Sequence, residues 1–338
     1  MPVTAFAPKT CLQIANAALG ELGFPQLTTL NGNPDPTAIQ VLTLLNAEGE
    51  ELRDTPEDGW TAMQTEFNLI VVPPVITTGN VALNSPVVSG IPSTAGLSAG
   101  NWAVIGNFLP TAARILNLGD QNGNNPTTTV TMTMESTGAA TGTPITFAQD
   151  TYALPADMKE YVNRTWWDRT NRWELLGPDS PQMDQWHRSG IVVTGPRRHF
   201  RQLGNSLNNQ YRLWPAPVEL VNPIQIAFEY TSTNWVNMTG GAPGGSTGTN
   251  SAFTADTDTP FLDDRALIMG LKWRFKKIKG YGGWEDDRND YVDFVDRLIG
   301  RDGGAGTLSM VKRVHPIFIS PANVQDGFFP GPVGPNMG

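Results

Sequence analysis

Apolar residues recur at helical spacing in the first fifty residues. Residues 10–23 place apolar side chains on one helix face, and Thr10 with Gln13 forms a capping box at its start. A second helix follows the NGNPDP turn, with Thr37 and Gln40 expected as its capping box. The expected buried stripe of this helix consists of Leu42, Leu45 and Leu52.

The pattern changes from helical spacing to alternation ahead of residue 75. The alternation in MQTEFNL, residues 63–69, predicts a strand. Residues 75–149 are poor in charge and rich in Thr, Gly, Ser and Val, and they contain the alternating run TTTVTMTM. We therefore expect a small all-β domain at 75–149, inserted between two halves of a helical core at 1–74 and 150–303. Such an insertion costs little loop entropy when it enters an exposed loop.

The second half of the core mixes helices with strands. A helix is predicted between Pro155 and Gly177, because acidic residues lie in its first turn and arginines in its last turn. A short helix is expected over 181–189 and antiparallel strands over 191–235. The glycine-rich stretch 239–251 is expected to be a flexible loop.

The strongest helical signals form a pair over residues 259–300. Thr259 is expected as the first cap with Pro260 in the first turn, and Gly280 closes the first helix. Gly300 is expected to end the second helix, so that the two helices form an antiparallel hairpin. The expected buried residues are Leu267, Leu271, Phe275 and Ile278 in the first helix and Tyr291, Phe294, Val295 and Leu298 in the second.

Residues 304–338 are apolar, rich in proline and without periodicity, which indicates an extended C-terminal tail. Extended apolar segments bury themselves on partner subunits by strand addition or through aromatic anchors. The expected anchors are Phe318, Ile319, Phe328 and Phe329. Together these patterns predict an α+β fold: a helical bundle with antiparallel strands, an inserted small all-β domain and an extended tail.

The negative charge of the chain is concentrated in its first half. The net charge is −9, and residues 1–150 contain 3 Lys or Arg against 12 Asp or Glu. Such a surface repels phosphate backbones, which argues against a nucleic-acid-binding protein and suits a surface past which DNA slides. No apolar run reaches the roughly 18 residues of a membrane helix, and the N-terminus lacks the pattern of a signal peptide.

The sequence offers no catalytic constellation. Its three histidines, His187, His199 and His315, are expected to lie far apart in unrelated elements. The only cysteine, Cys11, excludes an intramolecular disulfide and a cysteine-rich metal site. The run GGSTG at 244–248 matches the hydrolase motif GxSxG but has glycine-rich flanks instead of a strand and a helix. We therefore expect no enzyme activity, no cofactor and no metal.

Three segments resemble the head-to-tail adaptor proteins of short-tailed bacteriophages, the tail tubular protein A family. The first contains ANAALGELGFPQLTTLNG, AIQVLTLLN and LRDTPEDGWTAMQTEFNL, between residues 15 and 69. The second is YALPADMKEYVNRTWWDRTNRWELLG (152–177), in which a helix is expected after a Leu-Pro-x-Asp turn. The third runs from FTADTDTPFLDD to GRDGG (253–304). The order of the three segments carries the resemblance, which covers about half of the chain.

The resemblance implies a helical bundle that assembles into a ring, commonly of twelve copies, below the portal of the virion. Such a ring is made in the cytoplasm of the bacterial host, extends the DNA channel and receives the tail nozzle. The implied partners are further copies of the chain, the portal protein, the nozzle protein and the tail fibres, while the genome passes without specific binding. The insertion at 75–149 and the extension at 304–338 are additions to the smallest members.

Two features keep other interpretations open. The basic run KWRFKKIK (272–279) either pairs with the acidic helix that follows or contacts passing DNA. The carboxylates of that acidic helix are expected to form a solvated face, since the pattern of a calcium-binding loop is absent. Trp166, Trp167 and Trp173 either pack in the core or form a sugar-stacking platform. The platform would suit a carbohydrate-binding or depolymerase component of the tail. Another neck or nozzle ring protein is a further alternative.

Overall fold

The fold is of the α+β class, as predicted. A computed structural model describes residues 8–57, 59–189, 197–204, 209–220, 223–238 and 248–302. These residues form five α-helices and four antiparallel sheets. The helices are α1 (Cys11–Glu21), α2 (Pro36–Asp54), α3 (Pro181–Arg188), α4 (Asp264–Lys279) and α5 (Trp284–Asp302).

The strands are short, and most pair with neighbours that are distant in sequence. In chain order they are β1 (Gln64–Ile70), β2 (Val75–Val81), β3 (Val87–Ser89), β4 (Trp102–Gly106), β5 (Ile115–Leu118), β6 (Val130–Met132), β7 (Ala140–Gln149), β8 (Thr151–Ala153), β9 (Met158–Tyr161), β10 (Trp167–Asp168), β11 (Trp173–Glu174), β12 (His199–Leu203), β13 (Gln210–Trp214), β14 (Gln225–Ser232), β15 (Val236–Asn237), β16 (Thr249–Asn250) and β17 (Thr259–Pro260).

Three helices, α1, α2 and α5, pack against α4, and apolar side chains of all four helices form one core cluster. The predicted capping box of α1 is confirmed, since Thr10 and Gln13 each accept the backbone N–H of the other. The predicted capping box of α2 is wrong. The Asp35 carboxylate caps that helix by accepting the Thr37 N–H at 2.7 Å, with Pro36 in the first turn.

Two glycines allow close packing around α2, where Gly270 of α4 meets Glu48 and Gly49 of α2 meets Trp235, the residue before β15. A Cβ atom at Gly270 would lie 2.1 Å from the Glu48 side chain, and one at Gly49 would lie 2.1 Å from the indole of Trp235. Glu48 is fully buried and accepts a hydrogen bond from Nε of Arg274. Burial raises the pKa of the Glu48 carboxyl, although Arg274 acts in the opposite direction.

The hairpin of α4 and α5 is confirmed, but α4 begins later than predicted. Gly280 ends α4 in the left-handed conformation with φ 69°, as expected. Asp263 caps the helix by accepting the backbone N–H groups of Arg265 and Ala266. Thr259 is instead part of β17, which pairs with β15.

The two helices of the hairpin also end differently from the prediction. Ile278, predicted in the buried stripe, is 57 % exposed, because the contribution of α4 to the core cluster ends at Phe275. Helix α5 runs through Gly300 to Asp302. The Asp302 carboxylate accepts hydrogen bonds from the backbone N–H and the hydroxyl of Thr61 at 2.8 and 2.6 Å, which holds the additional residues in place.

Strands β2 to β7 form one six-stranded sheet in the order β4-β7-β2-β3-β6-β5. The first and last strands of this order, β4 and β5, are joined by a bridge between Ala103 and Arg114. The Val104 N–H also donates a hydrogen bond to the Ala113 carbonyl at 2.9 Å. The sheet therefore closes on itself around its own apolar cluster. The interior side chains include Val88, Ile115, Val130, Ile145 and Phe147.

The helix predicted between Pro155 and Gly177 is wrong. This segment contributes β9, β10 and β11 to a five-stranded sheet with β1 and β14. The ring of Trp166 lies between those of Phe228 and Phe200, at centroid distances of 3.8 and 4.1 Å. Burial and stacking of these large aromatic side chains outweigh the small intrinsic preference of the segment for a helix.

Backbone conformation also excludes a helix in this segment. Arg164 and Arg172 have positive φ angles of 64° and 62°, which a right-handed helix does not contain. Asp157, expected in the first helical turn, is buried instead. It accepts hydrogen bonds from the hydroxyl groups of Tyr230 and Ser232 and so ties β9 to β14.

The remaining predictions concern short elements. Helix α3 confirms the prediction for 181–189, and β12, β13 and β14 confirm antiparallel strands within 191–235. The end of the predicted loop 239–251 forms β16, whereas residues 239–247 of that loop and the tail 304–338 lie outside the described residues. None of the described helices combines the length and the apolar character that a membrane crossing requires.

Replacing Gly49 by alanine is expected to destabilise the protein by about 1–3 kcal/mol, because the new methyl group would overlap the Trp235 indole. Gly20 in α1 is the matched control, since a Cβ atom there has no neighbour within 4 Å. Gly20→Ala should be neutral or stabilising by up to about 1 kcal/mol. Urea unfolding of both variants measures the difference, and equal effects would contradict the close approach at Gly49.

Candidate functional site

Asp179, His187 and His199 meet in one cluster, which corrects the expectation that the histidines lie in unrelated places. Nδ1 of His199 lies 3.2 Å from Oδ1 of Asp179, and Nε2 of His187 lies 3.6 Å from Oδ2 of the same carboxylate. The two imidazole centroids are 4.3 Å apart. His315 lies outside the described residues.

The cluster forms where α3 crosses the start of β12. Asp179 directly precedes Ser180, the N-cap of α3, and His187 lies in the last turn of that helix. His199 is the first residue of β12. The backbone N–H of Asp179 donates to the carbonyl of Phe200 at 2.8 Å, which holds the start of α3 beside the strand. The chain therefore brings the two ends of the segment 179–199 together.

His187 is the most constrained member of the cluster. Only 6 % of the residue is exposed, and neither of its ring nitrogens has a hydrogen-bond partner among the described residues. A buried polar group without a partner is unfavourable by about 1–3 kcal/mol. One ligand atom from each of the three residues can be chosen so that all three lie within 4.8 Å of one another. Two imidazole nitrogens and a carboxylate oxygen form a donor set suited to divalent transition metals.

A second charged group lies on the same helix. Asp184 of α3 is 3 % exposed and lies 2.6 Å from Nη1 of Arg201. Arg188 and Arg212 approach the same Oδ2 atom at 3.8 Å. One buried carboxylate therefore faces three guanidinium groups.

A buried ion pair joins the closed sheet to the rest of the protein. Nη2 of Arg114 lies 2.6 Å from Oδ1 of Asp150 and donates to the hydroxyl of Thr151 at 2.8 Å. Burial lowers the pKa of Arg114 and raises that of Asp150. Arg188 donates to the carbonyl of Ala112 at 3.2 Å, so α3 also contacts the closed sheet.

The predicted pairing between the basic run of α4 and the acidic helix is confirmed. Lys272 and Lys276 lie 3.1 and 2.5 Å from the two carboxylate oxygens of Asp287. The carboxylates on the outer side of α5 are exposed, as expected for a solvated face. They belong to Glu285, Asp286, Asp290, Asp293 and Asp296.

Of the three tryptophans, Trp166 packs in the core, as one of the two interpretations expected, while Trp173 is half-buried. Trp166 is 2 % exposed, and both faces of its indole are covered by Phe200 and Phe228. Trp167 is 38 % exposed on the neighbouring position of the strand. The paired platform expected for sugar stacking is therefore absent at these residues.

The four predicted anchors, Phe318, Ile319, Phe328 and Phe329, lie outside the described residues. Comparison with models of protein families and with curated proteins finds no match to this chain.

Asp184→Asn is expected to destabilise the protein by about 3–5 kcal/mol, because it leaves three arginines beside a neutral side chain. Glu219→Gln is the matched control. The Glu219 side chain, the ion-pair partner of Arg198, is 37 % exposed, so loss of its charge should lower the free energy of unfolding by no more than about 1 kcal/mol. Chemical denaturation of both variants at neutral pH tests the contrast, and a near-neutral Asp184→Asn would contradict it.

Proposed function

We propose that this protein is a non-enzymatic structural subunit of a phage virion, a head-to-tail adaptor. About twelve copies form a ring between the portal protein and the tail nozzle, extend the DNA channel and complete the connection between head and tail. In this proposal the helical bundle is the body of the subunit, residues 75–149 are an inserted β domain, and residues 304–338 contact neighbouring subunits or the portal.

The order of the three resembling segments carries this proposal, together with their placement in the fold. The first segment, 15–69, contains all of α2 and most of α1 and β1, and the third, 253–304, contains α4 and α5. These segments are far apart in sequence, but α1 and α2 both pack on α4 in one apolar core. The helices of the first and third segments therefore form a contiguous body, which is suited to serve as a rigid unit of a ring, whereas the second segment forms strands β9, β10 and β11 of a sheet.

The distribution of negative charge supports a role as part of a channel through which DNA moves. The first half of the chain carries the whole net charge of −9, and the outer side of α5 presents five exposed carboxylates. The lysines at positions 272 and 276 of α4, which could otherwise bind phosphate groups, are engaged by Asp287. A surface of this kind disfavours sustained contact with the DNA backbone.

The alternative function, carbohydrate binding by the tryptophan cluster, requires an exposed aromatic face. Trp166 offers none, because its neighbours cover both sides of the indole. We therefore retain the adaptor as the one proposed function. Glycan binding that is lost in Trp167→Ala would favour the alternative.

Purified protein is expected to assemble with purified portal protein into a ring of about twelve copies. Native mass spectrometry gives the number of copies, and electron microscopy of negatively stained particles gives the symmetry. Six copies would favour a nozzle component and three copies a fibre or depolymerase. A single compact subunit that persists beside portal protein would contradict the proposal.

The predicted anchors provide a test of how the ring forms. Simultaneous replacement of Phe318, Ile319, Phe328 and Phe329 by serine should abolish ring assembly, because the apolar surface that a neighbouring subunit covers is lost. The far-UV circular dichroism spectrum should stay unchanged, and native mass spectrometry should show the folded single subunit.

Hydrogen exchange provides an independent readout with the unmodified chain. Amide exchange at residues 311–335 should slow on assembly, since segments that bind a partner gain protection. Equal protection in the free subunit and in the ring would contradict a role for the tail in assembly.

A further inference from the structure

We propose that Asp179, His187 and His199 form a binding site for a divalent transition-metal ion of the zinc type. This inference is independent of ring assembly. It concerns residues that the adaptor proposal does not use, and it can be tested on the isolated protein.

The first argument is the distance between the donor atoms. In tetrahedral coordination with bonds of about 2.0–2.1 Å, neighbouring ligand atoms lie about 3.3 Å apart. The Asp179 carboxylate lies 3.2 Å from Nδ1 of His199 and 3.6 Å from Nε2 of His187. The remaining separation is at most 4.8 Å, so small side-chain rotations would place all three atoms around one ion.

The second argument is the state of His187. The residue is 6 % exposed, and both ring nitrogens are buried without a hydrogen-bond partner among the described residues. Its Nε2 atom is the one that faces the Asp179 carboxylate. Coordination to a metal ion through this nitrogen would satisfy a polar atom that the described part of the protein leaves unsatisfied.

The third argument is the balance of charge. In the part of the chain that the structure describes, the arginines 188, 201 and 212 are directed to Asp184, and the ion pairs of Asp179 are with the two histidines. With neutral imidazoles the three ligands carry one negative charge, which favours a dication. Nitrogen and oxygen donors without a thiolate suit Zn²⁺, Co²⁺ or Ni²⁺, whereas Ca²⁺ and Mg²⁺ prefer oxygen donors alone.

The site would act as a clamp. Asp179 and His187 lie at the two ends of α3, and His199 begins β12, so one ion would fix the helix to the sheet. Three protein ligands leave at least one coordination position for water. Binding to the folded state alone would raise the melting temperature with increasing metal concentration.

The test uses full-length protein without a polyhistidine tag, stripped of metal with a chelator and dialysed. Titration with Zn²⁺ against a chromophoric chelator should give one bound ion per chain. Co²⁺ substitution should give visible absorption bands typical of low coordination number, and Zn²⁺ should displace the Co²⁺. Absence of stoichiometric binding of Zn²⁺ to the wild-type chain would overturn the proposal.

Single-residue variants locate the ion. Asp179→Asn, His187→Gln and His199→Gln should each weaken Zn²⁺ binding by about 100-fold or more, because loss of a partner outside the ligand shell already weakens binding by about 10–100-fold. His315→Gln, which changes the third histidine of the chain, should bind as the wild type does. Wild-type affinity in all three cluster variants, or loss of binding in His315→Gln, would contradict the assignment.

A measurement on the unmodified chain covers the case in which a variant does not fold. The chain contains three histidines, so their ring resonances can be followed by nuclear magnetic resonance as Zn²⁺ is added. The resonances of two imidazoles should shift together at one equivalent of metal. A shift of a single imidazole, or none, would exclude a site built from both histidines.

Discussion

The close contact between α2 and α4 is the constraint on which the helical part of the structure depends. Glu48 is buried against Gly270 and held by Arg274, while Gly49 on the same helix accommodates the Trp235 indole. A side chain at Gly270 would push α2 and α4 apart, and one at Gly49 would overlap the Trp235 indole. Because α1 and α5 also pack on α4, any change in that spacing would be transmitted to the whole helical core.

The sequence predicted best the elements whose signals are local. Capping by Thr10, termination at Gly280 and the helical stripes of α4 and α5 depend on residues within one or two turns. The helix prediction for the segment between Pro155 and Gly177 was wrong because the conformation of this segment depends on contacts with residues distant in sequence. The two rings that stack on Trp166 belong to strands β12 and β14, and the sequence of the segment itself gives no indication of these contacts. Asp157 satisfied the rule for a first helical turn while its partners lie on β14.

The histidine cluster could not be predicted for a related reason. His187 and His199 are separated by a segment without a recognised ligand spacing, and their meeting depends on the way α3 returns to the start of β12. The burial of side chains on α3 could not be predicted either, because a helix of eight mostly polar residues gives little indication of which face lies inward. Asp184 and His187 are both buried on α3, while Met183 and Trp186 face outward. The solvent-facing positions therefore carry the larger apolar side chains, the reverse of the usual pattern.

The closure of the six-stranded sheet limits how the protein can meet other molecules. An open sheet exposes a row of unpaired backbone groups to which a strand from another chain can be added. In residues 75–149 the bridge between Ala103 and Arg114 joins the strands that would otherwise be the two borders. This bridge leaves less backbone free for strand addition from another molecule, so contacts through this part of the protein would depend on its side chains and turns.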